Sequence, residues 1–159
     1  MSISVIIPTI GRPTLQRTID SIKDQLEPGD EILIEFDFPP HRDDGNWCRD
    51  RMIQRAAGTH LWFMDDDDAA LPGALSAFRR RIEEDPSCAW MFRIWLCGEL
   101  SWKVNRITPG NQQGQCILVP RGASTPWSNG DGPSDWHYIN RVRADIKWAD
   151  DIIATIRPD

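Results

Sequence analysis

No apolar run in the 159 residues approaches the ~20 needed for a membrane-spanning helix, and the opening MSISVIIPTIGRP lacks the charged n-region of a signal peptide. The expectation is a soluble, cytoplasmic protein. Cysteine is scarce and unpatterned. Cys48, Cys88, Cys97 and Cys116 form no C-x-x-C pair and sit in largely apolar contexts, which points to buried free thiols rather than zinc ligands or a disulfide framework. There is no D-x-D-x-D-G with a closing Glu, which excludes the helix-loop-helix calcium site. Nor is there a glycine-rich phosphate loop, because PTIGRPT after the first apolar run has one Gly and two Pro, and nucleotidyl transfer is a poor reading for that reason. Internal repeats and low-complexity segments are absent. The chain also lacks an excess of positive charge, and its formal net charge of -6 weighs against nucleic-acid backbone as the main partner.

What is present is the composition of a folded domain, 40% hydrophobic and 26% charged, in a length that suits one domain with a real core. Tryptophan is abundant, with eight residues to share between core and flat apolar surfaces. The most informative stretch is LWFMDDDD, Leu61 to Asp68. Leu61 to Met64 have the composition of a buried strand, and carboxylates at the end of such a strand lie where open α/β sheets bind ligands. Four adjacent carboxylates repel one another unless a cation or several donors sit among them. Hard oxygen ligands suit Mg²⁺ or Mn²⁺, which would in turn hold a phosphate. One of the four, Asp68, has a second reading as the cap of the following helix.

Taken in order, Ser2 to Pro8 reads as a first buried strand, followed by a helix from Pro13 with Leu15, Ile19, Ile22 and Leu26 on one face. Pro28 and Gly29 end it, and Glu31 to Phe38 reads as a second strand with Asp37 near its C-terminal end. A second helix is expected from Asn46, as cap, to Ala57, with Gly58 beyond its end. It leads into the aspartate strand, and strand, helix and strand in alternation imply right-handed parallel crossovers. A third helix carries Leu75, Phe78 and Ile82 inward, with Arg79, Arg80 and Arg81 on a solvated face. Beyond Pro86 the pattern turns to strands at Cys88–Cys97, Trp102–Ile107 and Gln115–Val119. A Gly, Pro and Ser-rich loop, Gly122–Ser134, reads as a lid or binding loop, then come a helix over Asp135–Ala144 and a terminal hairpin or strand in IKWADDIIATIRP.

These residues resemble the GT-A fold glycosyltransferases, specifically the family 2-like group that uses nucleoside-diphosphate sugars. SVIIPTIGRP is similar to that family's opening strand and loop, and EILIEFD to its second strand. WCRDRMIQRAAGTHLWFMDDDD is similar to its A-R-N-x-G-x-x-x-A-x-G-x-x-x-x-F-L-D-x-D-D block, with Arg49 on the Arg, Asp50 on the Asn and Met52 in place of the Gly. PSDWHYINRV resembles the E-D-x-x-L-W-x-R segment, with Asp135 on the Asp and Ser134 replacing the Glu, and DIIATIRP resembles the closing strand, with Arg157 on a recurrent Arg.

The resemblance implies a single-domain, GT-A-like (Rossmann-like) α/β fold. Its mixed sheet would be flanked by helices, with a nucleotide-binding half over about 1–86 and a more β-rich acceptor half over about 87–159. It implies a metal-dependent transferase of the hexosyl, inverting type, with Mn²⁺ or Mg²⁺ and a nucleotide-sugar donor, most simply a UDP-sugar. Pro8, Thr9, Arg12, Asp37, Arg49, Asp65 and Asp66 become donor-binding candidates, Asp37 through the nucleoside base. Asp65 and Asp67 become the metal ligands. His137 is a candidate third ligand, with a surface or hydrogen-bonding histidine as its other reading. Asp135 is the candidate base that deprotonates the acceptor hydroxyl, with a helix N-cap as the alternative. The competing functions are a non-catalytic nucleotide-sugar or glycan-binding module on the same fold and a transferase acting on hydroxymethylated DNA bases, the latter disfavoured by charge.

Overall fold

The strand β1 (Ile3–Thr9) is buried along its whole length, as its run of β-branched residues requires, and it takes a parallel neighbour on each side. These neighbours are β2 (Glu31–Phe36) and β3 (His60–Phe63). The helix α1 (Leu15–Lys23) makes the first crossover and α2 (Asn46–Arg55) the second. The computed structural model describes residues 1–102, 104–108, 110–127 and 134–158. After β3 come β4 (Ala69–Ala70), α3 (Ala74–Glu84), β5 (Ala89–Leu96), β6 (Glu99–Leu100), β7 (Ile117–Pro120), α4 (Ser134–Arg141) and β8 (Ile146–Ile156). The strand order is β2-β1-β3-β7-β5-β8-β4, with β6 hydrogen-bonded to β5. Antiparallel pairs β3·β7, β5·β7 and β4·β8 join the parallel first half to the later strands, so the sheet is mixed and continuous. The α/β class with a β-rich second half is therefore present as expected.

The buried face of α3 meets the sheet through Phe78, whose ring lies edge-on to Trp62 at 4.8 Å and to Phe92 at 4.9 Å. Of the three arginines of α3, Arg80 is exposed as expected of a solvated face, while Arg79 and Arg81 are partly buried. Arg79 pairs with Asp30 and with Glu27, and Arg80 and Arg81 both reach Asp151 at 2.8 Å, so the run ties the helix to the β2 approach and to β8.

Several boundaries move for local reasons. Gly45, with φ 78, holds the N-cap position of α2, so Asn46 is its first helical residue rather than its cap. A Cβ on Gly45 would stand 2.9 Å from the Pro8 ring, so this glycine also lets the helix start against β1. Gly58 lies in a close approach, not a left-handed helix end: a Cβ there would be 2.6 Å from the backbone nitrogen of Ser4. Asp68 does not cap α3, because β4 intervenes and Gly73 takes the N-cap position. None of the described residues of Trp102–Ile107 is in a strand. Trp102 has φ 32 and acts as an anchor, its indole N–H donating to the Phe92 carbonyl at 3.0 Å and its ring packing edge-on to Trp148 at 4.8 Å. Residues 114–116 form a 3-10 turn before β7, where a strand was expected from Gln115. The chain from Ile146 is one long strand rather than a hairpin, with irregular register against β5 around Arg93. The loop expected over 122–134 falls in part outside the described residues, which stop at Trp127 and resume at Ser134. Among the described residues no helix is long and apolar enough to cross a membrane.

Candidate functional site

β3 ends at Phe63, and the Met64 N–H still donates to the Ile6 carbonyl at 3.0 Å before the chain leaves the sheet into the four aspartates. In a turn, consecutive side chains cannot share one direction, and each carboxylate finds a different set of partners. Asp65 accepts from Arg49 Nη2 at 2.5 Å and from Gln115 Nε2 at 2.9 Å. Asp66 is buried toward the end of β1, accepting from the Thr9 hydroxyl at 2.5 Å and pairing with Arg12. Asp67 faces Arg157 Nε at 3.3 Å. Asp68 is buried and accepts from Gln115 Nε2 at 2.7 Å and from the Arg157 backbone N–H at 3.0 Å.

The backbone of this turn rests on α1. Thr18 donates to the Asp68 carbonyl at 2.6 Å, Arg17 to the Asp67 carbonyl at 3.1 Å, and Ser21 accepts from the Ala70 N–H at 2.9 Å. Thus α1 presents an apolar face to the sheet and a polar stripe to the aspartate turn.

One oxygen atom each from Asp65, Asp67 and Asp68 can be chosen so that all lie within 4.8 Å of one another. Such a group of hard oxygen donors fits Mg²⁺ or Mn²⁺. Burial first, and then the charges of Asp65 and Asp67, raise the Asp68 carboxyl to about 7 against the pull of the Arg157 N–H and Gln115 donors. The part due to Asp65 and Asp67 is crowding of like charge, which a cation relieves.

Pro8, Thr9, Arg12, Asp37, Arg49, Asp65, Asp66, Asp67 and Asp135 all line one cavity of about 410 Å³, within the size range of small-ligand sites. The Asp37 carboxylate accepts from the His41 backbone N–H at 3.1 Å and approaches His41 Nδ1 at 2.5 Å. The His41 ring stacks on Trp47 at 4.0 Å. Arg49, largely buried, donates to the Asp44 carbonyl at 2.6 Å and lies over the Trp127 ring at 4.7 Å, so it is fixed before any ligand arrives. Asp50 does not reach the cavity lining. It accepts from the Trp127 N–H at 2.6 Å, and Trp127 stacks on Tyr138 of α4 at 4.1 Å.

Asp135 sits inside the first turn of α4, one residue past the helix start, so the N-cap position is not its place. Burial is the largest cause of a net rise of its carboxyl to about 6. Arg49 opposes that rise, Asp65 adds to it, and a hydrogen bond from the Gly114 N–H lowers it again. Gly114 has to be glycine here, because a Cβ would stand 2.7 Å from the Trp127 ring and 3.1 Å from the Asp135 carboxylate. His137, on the same helix, packs edge-on to Trp136 at 4.8 Å and lies outside both the carboxylate group and the cavity lining.

A second cavity, about 720 Å³, adjoins the first and shares Asp65, Asp135 and Arg157 with it. Its remaining lining is mostly from the second half of the chain, including Leu96, Cys97, Gln113 and Ile156. Gln115, Asp68 and Arg157 are thus the site residues that sequence reasoning left outside its candidates. Gln115 reads as the first residue of an apolar strand, and only contacts about fifty residues away in sequence reveal its place.

Comparison with protein-family models and with curated sequences gives no match. Comparison with solved structures does. A structure of S. aureus TarS 1–349 in complex with UDP-GlcNAc superposes with a TM-score of 0.73 over 100% of this chain and 59% of that one, at 13% identity. A structure of S. aureus TarS gives a TM-score of 0.72 over 99% of this chain and 37% of that one, also at 13% identity. A197 from STIV gives 0.57 over 94% and 82%, again at 13% identity. The chain spans between 37% and 60% of the TarS chains it matches. At this identity the likeness is one of fold alone.

Proposed function

We propose that the protein is a glycosyltransferase that moves a sugar from a nucleoside-diphosphate sugar, in our reading a UDP-sugar, to an acceptor hydroxyl with inversion. The observation that carries this reading is the convergence of Asp65, Asp67 and Asp135 on one cavity that also holds Arg12, Asp37 and Arg49. The bound nucleotide sugar in a structure of the same fold supports it.

In this reading Asp65 and Asp67 would hold Mn²⁺ or Mg²⁺, with the Asp68 carboxylate rather than the His137 ring nitrogen as the third ligand. The ion supplies Lewis-acid stabilisation of the charge that grows on the leaving diphosphate. Arg12 and Arg49 sit on the same side and add positive charge where the phosphates lie, while Pro8, Thr9 and Asp37 line the part of the cavity that takes the nucleoside. The second cavity takes the acceptor, so the two halves of the chain divide donor and acceptor between them. Asp135, at the junction, accepts the proton of the acceptor hydroxyl. The acceptor oxygen then forms its bond to the anomeric carbon as the bond from that carbon to the diphosphate oxygen breaks, and the nucleoside diphosphate leaves with both electrons of that bond. A carboxyl raised to about 6 is a better proton acceptor than an ordinary aspartate and is still ionised at neutral pH.

The test is release of UDP from a panel of UDP-sugars that includes UDP-GlcNAc, with Mn²⁺ or with EDTA, for the wild type and Asp67→Ala. Asp67 makes one long ion pair to an exposed arginine, so the variant should stay folded. Metal-dependent UDP release that the variant loses is the expected result. Equal UDP affinity in Mn²⁺ and in EDTA would overturn the metal role, and metal-dependent binding without any release would make the protein a binding module.

A further inference from the structure

Gln115 is buried in the 3-10 turn that leads into β7, and its backbone is held there because the Trp62 indole N–H donates to its carbonyl at 2.9 Å. Its side-chain amide reaches back into the aspartate turn. Nε2 lies 2.9 Å from Asp65 Oδ2 and 2.7 Å from Asp68 Oδ2, so one NH₂ group donates to two carboxylates at once. In the ionised form that would hold a cation both partners only accept, which assigns the nitrogen rather than the oxygen to this position.

The remaining oxygens of the two carboxylates are also engaged. Asp65 Oδ1 accepts from Arg49 at 2.5 Å and Asp68 Oδ1 from the Arg157 N–H at 3.0 Å. Each carboxylate is therefore held at both ends, and an ionised carboxylate with four lone-pair sites still has capacity for a cation. What distinguishes Gln115 is that it is neutral. A lysine or arginine in its place would hold the same two oxygens but cancel charge that the cation needs, whereas an amide holds them and leaves the charge intact.

We propose that Gln115 is the positioning residue of the cation site, clamping Asp65 and Asp68 so that they and Asp67 offer their oxygens in one place. This rests on the metal reading given above. Donors behind ligating groups commonly set metal affinity to within one or two orders of magnitude, which sets the size of the effect.

The experiment is a titration of the full chain with Mn²⁺ alone, following free Mn²⁺ by electron paramagnetic resonance, without nucleotide. Gln115→Leu removes the donor, and Gln115→Asn keeps the amide but withdraws it by one methylene, giving a second variant with a polar side chain. Circular dichroism chooses a temperature at which each protein is folded. The expected result is Mn²⁺ affinity lower by about 10- to 100-fold in Gln115→Leu and by a smaller factor in Gln115→Asn. A residue that only supports the fold would lower the melting temperature and leave the affinity of the folded protein unchanged. Mn²⁺ affinity within twofold of wild type in the folded variants would overturn the clamp while leaving the metal reading in place. Failure of the wild type to bind Mn²⁺ would overturn both.

Discussion

Asp135 carries the most consequential single-residue assignment, because its carboxyl is raised to about 6 mainly by burial, at the junction of two cavities. A general base works only when ionised, so transfer at saturating Mn²⁺ should fall tenfold per pH unit below about 6 and level off above it. Asp135→Asn preserves shape and cannot take a proton. Loss of general-base catalysis should lower turnover on the order of 10²- to 10⁴-fold and remove that limb of the profile, with donor affinity little changed. Near-normal turnover of the variant would remove Asp135 from the mechanism. The same shift has a signature in stability. The folded-state value lies above the usual aspartate value, so the stability it contributes is complete below the unfolded value near 4 and is lost as pH rises through about 6. Asp135→Asn should therefore melt higher than wild type at pH 8 and close to it at pH 4. A melting difference of the opposite sign would show that the carboxylate is stabilising where it sits. Buried charge held for chemistry at a cost in stability is the pattern expected of an active site.

At the scale of elements, the passage from α2 to β3 depends on Gly58. Its N–H donates to the Ser4 hydroxyl at 2.9 Å, and a Cβ would meet the Ser4 nitrogen at 2.6 Å and the Ile3 carbonyl carbon at 2.9 Å. Backbone atoms of a fully buried central strand cannot give way as a side-chain tip can. Gly58→Ala should lower the unfolding free energy in urea by about 1–3 kcal/mol, the usual range for overpacking, and wild-type stability would show that the turn adjusts freely. The parts of the fold that were legible in sequence are those specified by local pattern. β1, β2 and β3 announce themselves as apolar runs, and α3 as Leu75, Phe78 and Ile82 at helical spacing. The parts that were not legible depend on partners far along the chain. β4 is two alanines that become a strand only because Thr155 and Ala154 lie alongside. Trp102 looks like a strand residue until its indole is seen to satisfy the Phe92 carbonyl from a left-handed backbone. The site divides in the same way. Asp65, Asp67, Arg49 and Asp135 follow from a motif, whereas the uses of Asp68 and Gln115 follow from the approach of residues 115 and 157 to the turn.

For the whole molecule, the aspartate turn concentrates part of a net charge of -6 at the edge of a continuous sheet, against donors drawn from α1, α2, the 3-10 turn before β7 and the end of β8. A cation bound there touches only a few atoms but is linked through these donors to both halves of the chain, and the cluster it would occupy does not exist in the unfolded state. Binding to the folded state alone stabilises it by RT ln(1 + [L]/Kd), about 2.7 kcal/mol at a hundredfold excess over Kd. For a domain of this size, each kcal/mol moves the melting temperature by about 2–4 °C. Saturating Mn²⁺ should therefore raise it by about 5–11 °C, EDTA should reverse the rise, and Asp67→Ala should lose most of it. UDP added with Mn²⁺ should raise the melting temperature further, and UDP added with EDTA should have a much smaller effect, because in this reading the nucleotide is held through the ion. A melting temperature indifferent to Mn²⁺ at millimolar concentration would remove the cation from the site. A rise with Mn²⁺ that UDP does not extend would leave a metal site without the donor, and would turn attention from the first cavity to the second.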